Sequence, residues 1–592
     1  MPPHRLENGL AILLWAVVAG VMLAVGWRDI GLLAFGDPDD ALRMVQVRDL
    51  LAGQSWYDPL QYRIDPANGG GNIHWSRFID VQIGALVLLL EPLLGMAAAE
   101  RWAAAIYPLL LLFLLFWLMG RILARLGDRN FVRCGLLIAA STVTYLHYFT
   151  PLRIDHHNWQ MLLSLAMLWL ALGPASLTRG LLAALVIALH LEISLEGLPY
   201  LVMFGGLYAW EWVRDPREAP RLCGFALGLA LLAPLWVLLL RGLDGVTGVY
   251  CDAFSRPYLA GAAVTGLAVA ALLRVPALQT SLWRRIGLLV VAGAAGGIAF
   301  VVGGPQCLNG PFGDLSPLVR THWYEGIGEG HPIWTQSAMA IGVFGLPSIA
   351  GLAMLAWALL RTEIAPWAAQ WRRLALIATA SFILSLLVLR TTAVTHAYLV
   401  PAFALPALIF LRWARARPTA LARIPASAAT VLLFPVAFAA LGSLVMTMVA
   451  GDTTADLPGT CLTPAATARV ARVPATTVFT PLDMAPALLV GTPHSVIATG
   501  HHRNHQAIHQ VLATFMDDPA RAEASVRRSG ATLLLICKNL ADFQHLRDQA
   551  PAGLAAVLDR NAPPSWLEAV PELSRGPLHV YRVVASKRVK PE

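Results

Sequence analysis

The chain has 592 residues, of which 57% are hydrophobic and 14% are charged, and its mean hydropathy is +0.61. Soluble domains contain about 25% charged residues, so this composition excludes a soluble protein and makes the bilayer the solvent for most of the chain. The formal net charge of +8 does not indicate nucleic-acid binding, because many arginines lie in short loops between apolar stretches, where they orient a membrane protein.

Apolar stretches predict thirteen membrane-spanning helices. They cover residues 9–26, 102–120, 132–149, 158–173, 180–196, 198–213, 222–240, 258–273, 286–303, 334–360, 374–389, 396–411 and 428–449. Arg-rich loops follow the even-numbered spans, which places those loops in the cytoplasm. The first span lacks a convincing cleavage site and is predicted to be an uncleaved signal-anchor.

A further apolar stretch, residues 81–97, is not counted as a span. It is short and contains Glu91 and Pro92. Counting it would invert the orientation of the chain after it, so that the Arg-rich loops would face outward and the bilayer would separate Asp39 from Asp155. An interfacial or re-entrant helix is the preferred interpretation.

Two of the loops on the external side are long, residues 27–101 and residues 304–333. The composition becomes mixed and polar at about residue 451, so residues 1–450 are predicted to form a transmembrane domain and residues 451–592 an external α/β domain. Strands are predicted at 475–480, 494–500, 531–537 and 579–584, and helices at 505–516 and 519–529.

Six cysteines are too few for a disulfide scaffold. Four of them fall in segments predicted on the external side, where disulfides can form: Cys251, Cys307, Cys461 and Cys537. Their pairing is left open by the sequence. Cys134 and Cys223 lie in or beside predicted spans and are interpreted as apolar packing residues.

The first external loop opens with three acidic residues, Asp37, Asp39 and Asp40. Asp39 occupies a position suited to an N-cap before a helix that ends at Gly53. A cap needs only one of the three carboxylates, so the others are candidates for chemistry at the membrane face.

A second acidic motif, Asp155-His156-His157, joins the third and fourth spans. In an extended chain Asp155 and His157 point the same way. A carboxylate and an imidazole at this spacing can share one divalent metal ion. The alternative is that Asp155 caps the fourth span and the histidines lie at the interface.

Charged residues at two other external positions complete the candidate set. Glu325 and Glu329, in a Gly-rich segment that could close over a substrate, are each a possible third carboxylate. Arg390 and His396 lie between the eleventh and twelfth spans, where a cation could hold a phosphate or extend towards lipid headgroups.

At these motifs the chain resembles the catalytic subunits of bacterial and archaeal oligosaccharyltransferases, which are GT-C glycosyltransferases. In that family a metal-binding Asp precedes an Arg-Asp pair by about ten residues, as Asp39 precedes Asp49 here. The family's second loop carries Asp-x-Asp, or Asp-x-His in archaeal members. The corresponding segment here is Asp155-His156-His157.

The resemblance extends along the chain. The family has a Glu in the long loop before the tenth span, and Glu329, followed by Gly-His-Pro, fits better than Glu325. Its C-terminal Trp-Trp-Asp-Tyr-Gly motif, which recognises the acceptor sequon, corresponds to residues 480–485, where only Asp483 matches. Both Trp are absent, which puts recognition of an Asn sequon in doubt.

The resemblance implies a multi-pass enzyme of the bacterial inner membrane with a periplasmic C-terminal domain. It would transfer a glycan from a polyprenyl-(pyro)phosphate donor to a protein, lipid or glycan acceptor, with inversion at the anomeric carbon. Mg²⁺ or Mn²⁺ would be bound by Asp39, Asp155, His157 and Glu329. Asp39, Asp155 and Glu329 are the implied catalytic residues.

The resemblance also assigns the two substrates. Arg390, and as second choice His396, would hold the donor phosphate, and Asp483 would contact the acceptor. One alternative is a GT-C sugar transferase that modifies a lipid or polysaccharide. A transporter is another alternative, but the acidic residues lie at one membrane face and no internal repeat is visible.

Overall fold

The computed structural model describes residues 4–450 and 460–585. Helices dominate the first of these segments. They are α1 (His4–Leu32), α2 (Pro38–Leu51), α3 (Arg77–Leu94), α4 (Met96–Leu123), α5 (Arg129–Ser141), α6 (Val143–Leu146), α7 (His157–Ala171), α8 (Leu177–Ile193), α9 (Leu198–Arg214), α10 (Ala219–Thr247), α11 (Arg256–Leu272), α12 (Leu282–Gly303), α13 (Pro317–His322), α14 (Ala338–Ala340), α15 (Leu346–Leu359), α16 (Ala368–Leu387), α17 (Thr392–Arg415), α18 (Ala420–Ala428) and α19 (Pro435–Ala450). A short hairpin of β1 (Leu60–Gln61) and β2 (Gly71–Asn72) lies between α2 and α3.

Each of the thirteen predicted spans coincides with one helix or with a broken run of helices. Within the described residues, six helices are long and apolar enough to cross a bilayer, or seven if a pair bent by 69° counts as one. The polytopic helical architecture is therefore confirmed, and the count of thirteen spans stays a prediction.

The stretch at 81–97 is helical but is interrupted before it ends. Helix α3 stops at Gly95, where φ is 74°, and α4 begins at the next residue. One side of α3 buries Ile83 and Val87 against the protein, whereas Leu89 and Leu93 are exposed. A helix with one apolar side left outside the packing suits an interfacial position, which remains a prediction.

Residues 460–585 contain a five-stranded sheet with helices around it. The strands are β3 (Thr477–Phe479), β4 (Ser495–Val496), β5 (Leu533–Cys537), β6 (Leu567–Ala569) and β7 (Leu578–Val583), and the helices are α20 (Pro464–Thr467), α21 (Ala485–Gly491), α22 (His505–Met516), α23 (Pro519–Arg528), α24 (Ala541–Gln549) and α25 (Leu554–Asp559). The strand order is β4-β3-β5-β7-β6. The pairs β3/β4 and β3/β5 are parallel, and the pairs β5/β7 and β6/β7 are antiparallel. The four predicted strands match β3, β4, β5 and β7, and the two predicted helices match α22 and α23.

The segment between α2 and α3, which belongs to the predicted first external loop, docks on the edge of this sheet. The backbone N–H of Val496 donates to the carbonyl of Arg63, and that of Asp65 donates to the carbonyl of Val496, both at 2.8 Å. The Arg63 guanidinium also donates to the carbonyls of Leu489 and His494 at 2.9 and 2.7 Å. Main-chain pairing at an otherwise open edge fixes the C-terminal unit against the helical part.

Two disulfides join the four cysteines predicted on the external side. Cys251 pairs with Cys307, and Cys461 pairs with Cys537. Cys134 and Cys223 remain as thiols, the first buried and the second partly buried. The first bond ties the segment before α11 to the segment after α12, and the second ties the start of the C-terminal unit to its central strand.

Thiol labelling of the denatured protein tests this pairing. A maleimide mass tag should add two labels before reduction and six after it, because four of the six cysteines are paired. The Cys134→Ser/Cys223→Ser double variant should add none before reduction. Four or more labels on the unreduced wild type would contradict the pairing. Each bond closes a loop of 56 or 76 residues, so its loss should destabilise the fold by about 4 kcal/mol.

Candidate active site

Helix α2 presents the first acidic motif at its N-terminus. Asp37, not Asp39, is the N-cap, and its carboxylate accepts a hydrogen bond from the N–H of Asp39 at 2.9 Å. The predicted cap at Asp39 is therefore wrong, because Pro38 takes the first helical position, for which its fixed φ and missing N–H suit it. Among the described residues no group donates a hydrogen bond to the partly buried Asp39 carboxylate.

Asp40 fastens the second acidic motif to α2. Its Oδ1 accepts hydrogen bonds from the backbone N–H groups of Ile154 and Asp155 at 2.7 and 2.8 Å. Its Oδ2 lies 3.0 Å from Arg153 Nη1, which is also 2.8 Å from Asp37 Oδ2. Asp40 is fully buried, so these contacts fix the backbone just before Asp155 relative to α2.

Both histidines of the second motif point at the Asp155 carboxylate. His157 Nδ1 lies 2.5 Å from Asp155 Oδ2, and His156 Nδ1 contacts Asp155 Oδ1. The three ligand atoms lie within 4.8 Å of one another. The chain bends at Asp155 and does not run extended, which brings in His156 as well as His157. Asp155 does not cap α7, because the N-cap is His156.

Charge is unevenly compensated within this cluster. Burial would raise the pKa of Asp155, but His156 and His157 hold it well below its usual range. Burial would lower the pKa of His157, but the Asp155 carboxylate raises it to about 9. The pKa of Asp39 is raised well above its usual range by burial and by the charges of Asp155 and Asp37. Asp39 thus lies near several other carboxylates, and the charge of His157 offsets their effect only in part.

Arg390 and Glu329 lie near His157. Arg390 Nη2 is 2.7 Å from Glu196 Oε1, and Arg390 Nη1 is 3.4 Å from Glu329 Oε1. A small cavity there is lined by Tyr148, His157, Glu196 and Arg390. The charge of Glu329 contributes to the raised pKa of His157, and its side chain is 45% exposed. Glu329 is outside the group of ligand atoms that lie within 4.8 Å of one another.

His396 lies in the helix packing and does not line this cavity. It is buried on α17, with Nδ1 2.6 Å from Thr144 Oγ1 and Nε2 2.9 Å from Ser348 Oγ. Both ring nitrogens are therefore engaged by hydroxyl groups. This placement supports a packing role for His396 and leaves the second-choice role as a phosphate ligand without support.

Glu325 and Asp483 face a different cavity, of about 380 Å³, between the long external loop and the C-terminal unit. Asp483 donates its backbone N–H to Asp542 Oδ2 at 2.9 Å. Burial and the charges of Asp542 and Asp37 raise the pKa of Asp483 well above its usual range. The effect of Asp37 indicates that this cavity approaches the start of α2. The two glutamates left open by the sequence are thus separated, with Glu329 near His157 and Glu325 near Asp483.

A buried ionic network supports the cluster, and its members were missed by the sequence analysis. Arg43 Nη1 lies 3.0 Å from Asp80 Oδ1, and Arg43 Nη2 lies 3.9 Å from Asp155 Oδ1. Arg77 contacts the second oxygen of Asp80 at 3.1 Å, and Trp75 lies under the Arg43 guanidinium at 4.2 Å. The sequence signal was the pair Arg77 and Asp80 directly before the apolar stretch 81–97, whereas Arg43 lies in a mixed segment that gives no such signal.

Structural comparison identifies the fold, whereas sequence comparison does not: no family model and no curated protein matches the chain. The archaeal oligosaccharyltransferase AglB from Archaeoglobus fulgidus, solved with an inhibitory peptide and a dolichol-phosphate, superposes with a TM-score of 0.66 at 13% identity, covering 98% of this chain and 75% of that chain. The oligosaccharyltransferase of the same organism, tethered to an acceptor peptide containing the NVT sequon, superposes with a TM-score of 0.65 at 12% identity, covering 92% of this chain and 71% of that chain. Its complex with zinc and sulfate superposes with a TM-score of 0.60 at 13% identity, covering 96% of this chain and 73% of that chain.

These likenesses show the fold. The chain has the GT-C architecture of the archaeal oligosaccharyltransferase, including the small sheet-containing unit at its C-terminal end. The resemblance inferred from three short acidic motifs is thereby confirmed at the level of the fold, over almost the whole chain.

Two neighbouring aspartates provide a stability test of the cluster. Asp40→Ala should lower stability by about 3 kcal/mol, because two buried N–H groups lose their acceptor and Arg153 loses a buried partner. Asp37→Ala should cost less, about 1–2 kcal/mol, because it removes an N-cap and a partly exposed contact with Arg153 but no acceptor of a buried backbone N–H. The thermal unfolding midpoint in detergent should fall further for Asp40→Ala. Equal shifts, or a larger one for Asp37→Ala, would count against the anchoring role of Asp40.

Proposed function

We propose that this protein is a membrane glycosyltransferase that moves a glycan from a polyprenyl-(pyro)phosphate donor to an acceptor on the external face of the bacterial inner membrane. The proposal depends on one observation: His157 contacts the buried Asp155 carboxylate, and Asp39 is near enough for their charges to act on it, in a fold shared with an oligosaccharyltransferase. One solved neighbour holds a dolichol-phosphate and another an acceptor peptide, which supports a lipid-linked donor and a separate acceptor.

The proposed cofactor is Mg²⁺ or Mn²⁺, held by Asp39, Asp155 and His157 with Glu329 as a further ligand. The residues fit such an ion in two respects. Nε2 of His157 is buried and has no hydrogen-bond partner among the described residues. The Asp39 carboxylate lies near Asp155 and Asp37, and the charge of His157 offsets only part of their effect on it. When bound, the divalent ion would offset the negative charge that develops on the leaving phosphate.

Arg390 is the proposed contact for the donor phosphate. Its guanidinium is anchored by Glu196 at 2.7 Å, and its contact with Glu329 is longer, at 3.4 Å. A phosphate group can therefore compete for the Nη1 side while Glu196 keeps the side chain in place. The displaced Glu329 carboxylate would then be available to His157 and the acceptor.

The acceptor is proposed to enter through the cavity that contains Asp483. Asp39 and Glu329 would orient its nucleophilic atom towards the anomeric carbon. A bond forms from that atom to the anomeric carbon as the bond from the carbon to the phosphate oxygen breaks, so direct attack inverts the configuration. No side chain needs to form a covalent intermediate.

The assignment of membrane sides is part of the same proposal. Residues 1–450 would form the membrane domain and residues 451–592 the periplasmic domain. The disulfides Cys251–Cys307 and Cys461–Cys537 support this orientation, because such bonds persist in an oxidising compartment and all four cysteines belong to segments predicted on that side.

A lipid or polysaccharide acceptor is the second candidate, and one observation favours it. Residues 480–485 keep Asp483 but have no Trp, and Trp323, which lines the same cavity, comes from the segment opposite them. The Trp pair expected beside Asp483 for sequon recognition is therefore missing. The donor side of the site would be the same for both acceptors.

Activity of the reconstituted protein tests the proposed site. With a polyprenyl-pyrophosphate-linked glycan, Asp155→Asn should lower kcat/KM at least about 100-fold, a loss of about 2.7 kcal/mol of transition-state stabilisation. The control is Asp128→Asn, which makes the same change in a loop predicted on the opposite side, where Asn caps α5 equally well.

The assay should offer a sequon peptide and a glycolipid in parallel. Label in the peptide would support an oligosaccharyltransferase, and label only in the glycolipid would support the second candidate. Wild-type rates for a correctly folded Asp155→Asn variant would refute the proposed site.

Metal removal tests the cofactor separately. Dialysis against a chelator should abolish transfer, and Mg²⁺ or Mn²⁺ should restore it, because the leaving phosphate needs a positive charge that Arg390 alone does not supply. Glu329→Gln should raise the concentration of metal needed for half-maximal rate. Full activity of the metal-free protein would contradict a metal-dependent mechanism.

A further inference from the structure

A second cluster of imidazoles lies where the first external loop meets the C-terminal unit. We call His74, His501 and His502 the histidine cluster. One ring nitrogen from each lies within 4.8 Å of the others. The ring centroid of Trp75 is 5.6 Å from that of His501 and 6.5 Å from that of His156, so the cluster is a neighbour of the Asp155 site and distinct from it.

Residues distant in sequence hold the cluster together. His74 follows β2, and its carbonyl accepts a hydrogen bond from Arg241 Nη1 at 2.6 Å. His501 and His502 come just before α22. Asn504 joins the two segments, because its Oδ1 accepts the backbone N–H of Asn72 at 2.8 Å.

The outer contacts of the cluster resemble those around metal-binding histidines. Nε2 of His502 lies 2.7 Å from Asp252 Oδ2, and the same carboxylate accepts hydrogen bonds from Arg503. A carboxylate that accepts the Nε2 proton leaves a lone pair on Nδ1 of His502. Such carboxylate–histidine pairs orient ligands and fix their tautomer.

His501 gives an independent indication of a ligand. Its side chain is 4% exposed, and its Nδ1 is buried with no hydrogen-bond partner among the described residues. Its Nε2 is 2.7 Å from Nδ1 of His74. A hydrogen bond between these two rings satisfies Nδ1 of His74 and Nε2 of His501. Nδ1 of His501 stays buried without a partner among the described residues, which costs free energy that binding of an ion can offset.

We propose that the histidine cluster binds a Zn²⁺-class transition-metal ion, which ties the first external loop to the C-terminal unit. Three imidazoles with no carboxylate among the ligand atoms suit Zn²⁺ and disfavour Mg²⁺ and Ca²⁺. Bonds of about 2.0–2.1 Å in a tetrahedron place ligand nitrogens roughly 3.3 Å apart, and nitrogens that already lie within 4.8 Å of one another can reach that spacing by small ring rotations. A cavity of about 540 Å³, lined by His74, offers space for water as the fourth ligand.

Zinc content of the purified full-length protein tests the proposal. The protein is first treated with a chelator, then loaded with Zn²⁺ and passed through gel filtration. The wild type should then retain one more equivalent of zinc per protein than His74→Gln or His502→Gln, as measured by elemental mass spectrometry. His505→Gln is the matched control, because it alters a histidine of the same segment that is outside the cluster. Zn²⁺ should raise the unfolding midpoint of the wild type and the control but not of the two cluster variants.

The Asp155→Asn variant separates this site from the proposed catalytic one. It should retain the zinc that the cluster variants lose, and its zinc-edge X-ray absorption should show imidazole ligands. If the cluster variants fail to fold, that spectrum still tests the ligand set. Equal zinc in the wild type and both cluster variants would overturn the proposal, and so would loss of the zinc in Asp155→Asn alone.

Discussion

The need to compensate one buried carboxylate organises the candidate active site. Asp155 is 3% exposed, and a buried negative charge is costly unless it is paired and hydrogen-bonded. His156 and His157 approach its two oxygens, and Arg43 adds a more distant positive charge. This arrangement requires a bend in the chain before α7. The bend is held by the Asp40 carboxylate, which accepts the backbone N–H groups of Ile154 and Asp155.

The docked C-terminal unit places a second set of charged groups close to this cluster. Pairing of the first external loop with the sheet edge at Val496, together with Arg63 and Arg48, joins segments more than four hundred residues apart. Arg48 Nη1 donates to the carbonyl of Val490 at 2.6 Å. The same docking brings Asp483 close enough to Asp37 for their charges to interact. The proximity of these two groups of charged residues is therefore a consequence of backbone pairing, which the sequence pattern does not reveal.

The features that could be predicted from the sequence were those set by local residue patterns. Apolar stretches predict helices because each carries its own periodicity, and β5, with five consecutive buried apolar residues, is a strong strand signal. The three-residue strand β6, with two exposed residues, has no such signal and was missed. The cap predicted at Asp39 was wrong because Pro38 favours the first helical position, which moves the cap to Asp37. His156 was missed because alternation of side chains holds only for an extended chain, and the chain bends there.

Tertiary contacts decided the remaining assignments. His396 and Arg390 are near neighbours in sequence, yet the turn of α17 places His396 among packed helices and leaves Arg390 beside Glu196 and Glu329. The pairing of four cysteines also depends on which loops meet in space. Motif spacing identifies residues of the right chemical type, but burial and hydrogen bonding select among them.

The two sides of the proposed site are built by different parts of the chain. His157, proposed for the metal, and Arg390, proposed for the donor phosphate, lie at or just before the starts of the helices α7 and α17. Asp483, proposed for the acceptor, lies in the C-terminal unit, and its cavity is also lined by the loop that contains Glu325. Under the proposed function, substitutions around Asp483 would change the acceptor without disturbing the charge balance of Asp155. Absence of the Trp pair beside an intact acidic cluster is the pattern expected if the donor chemistry is retained while acceptor recognition has changed.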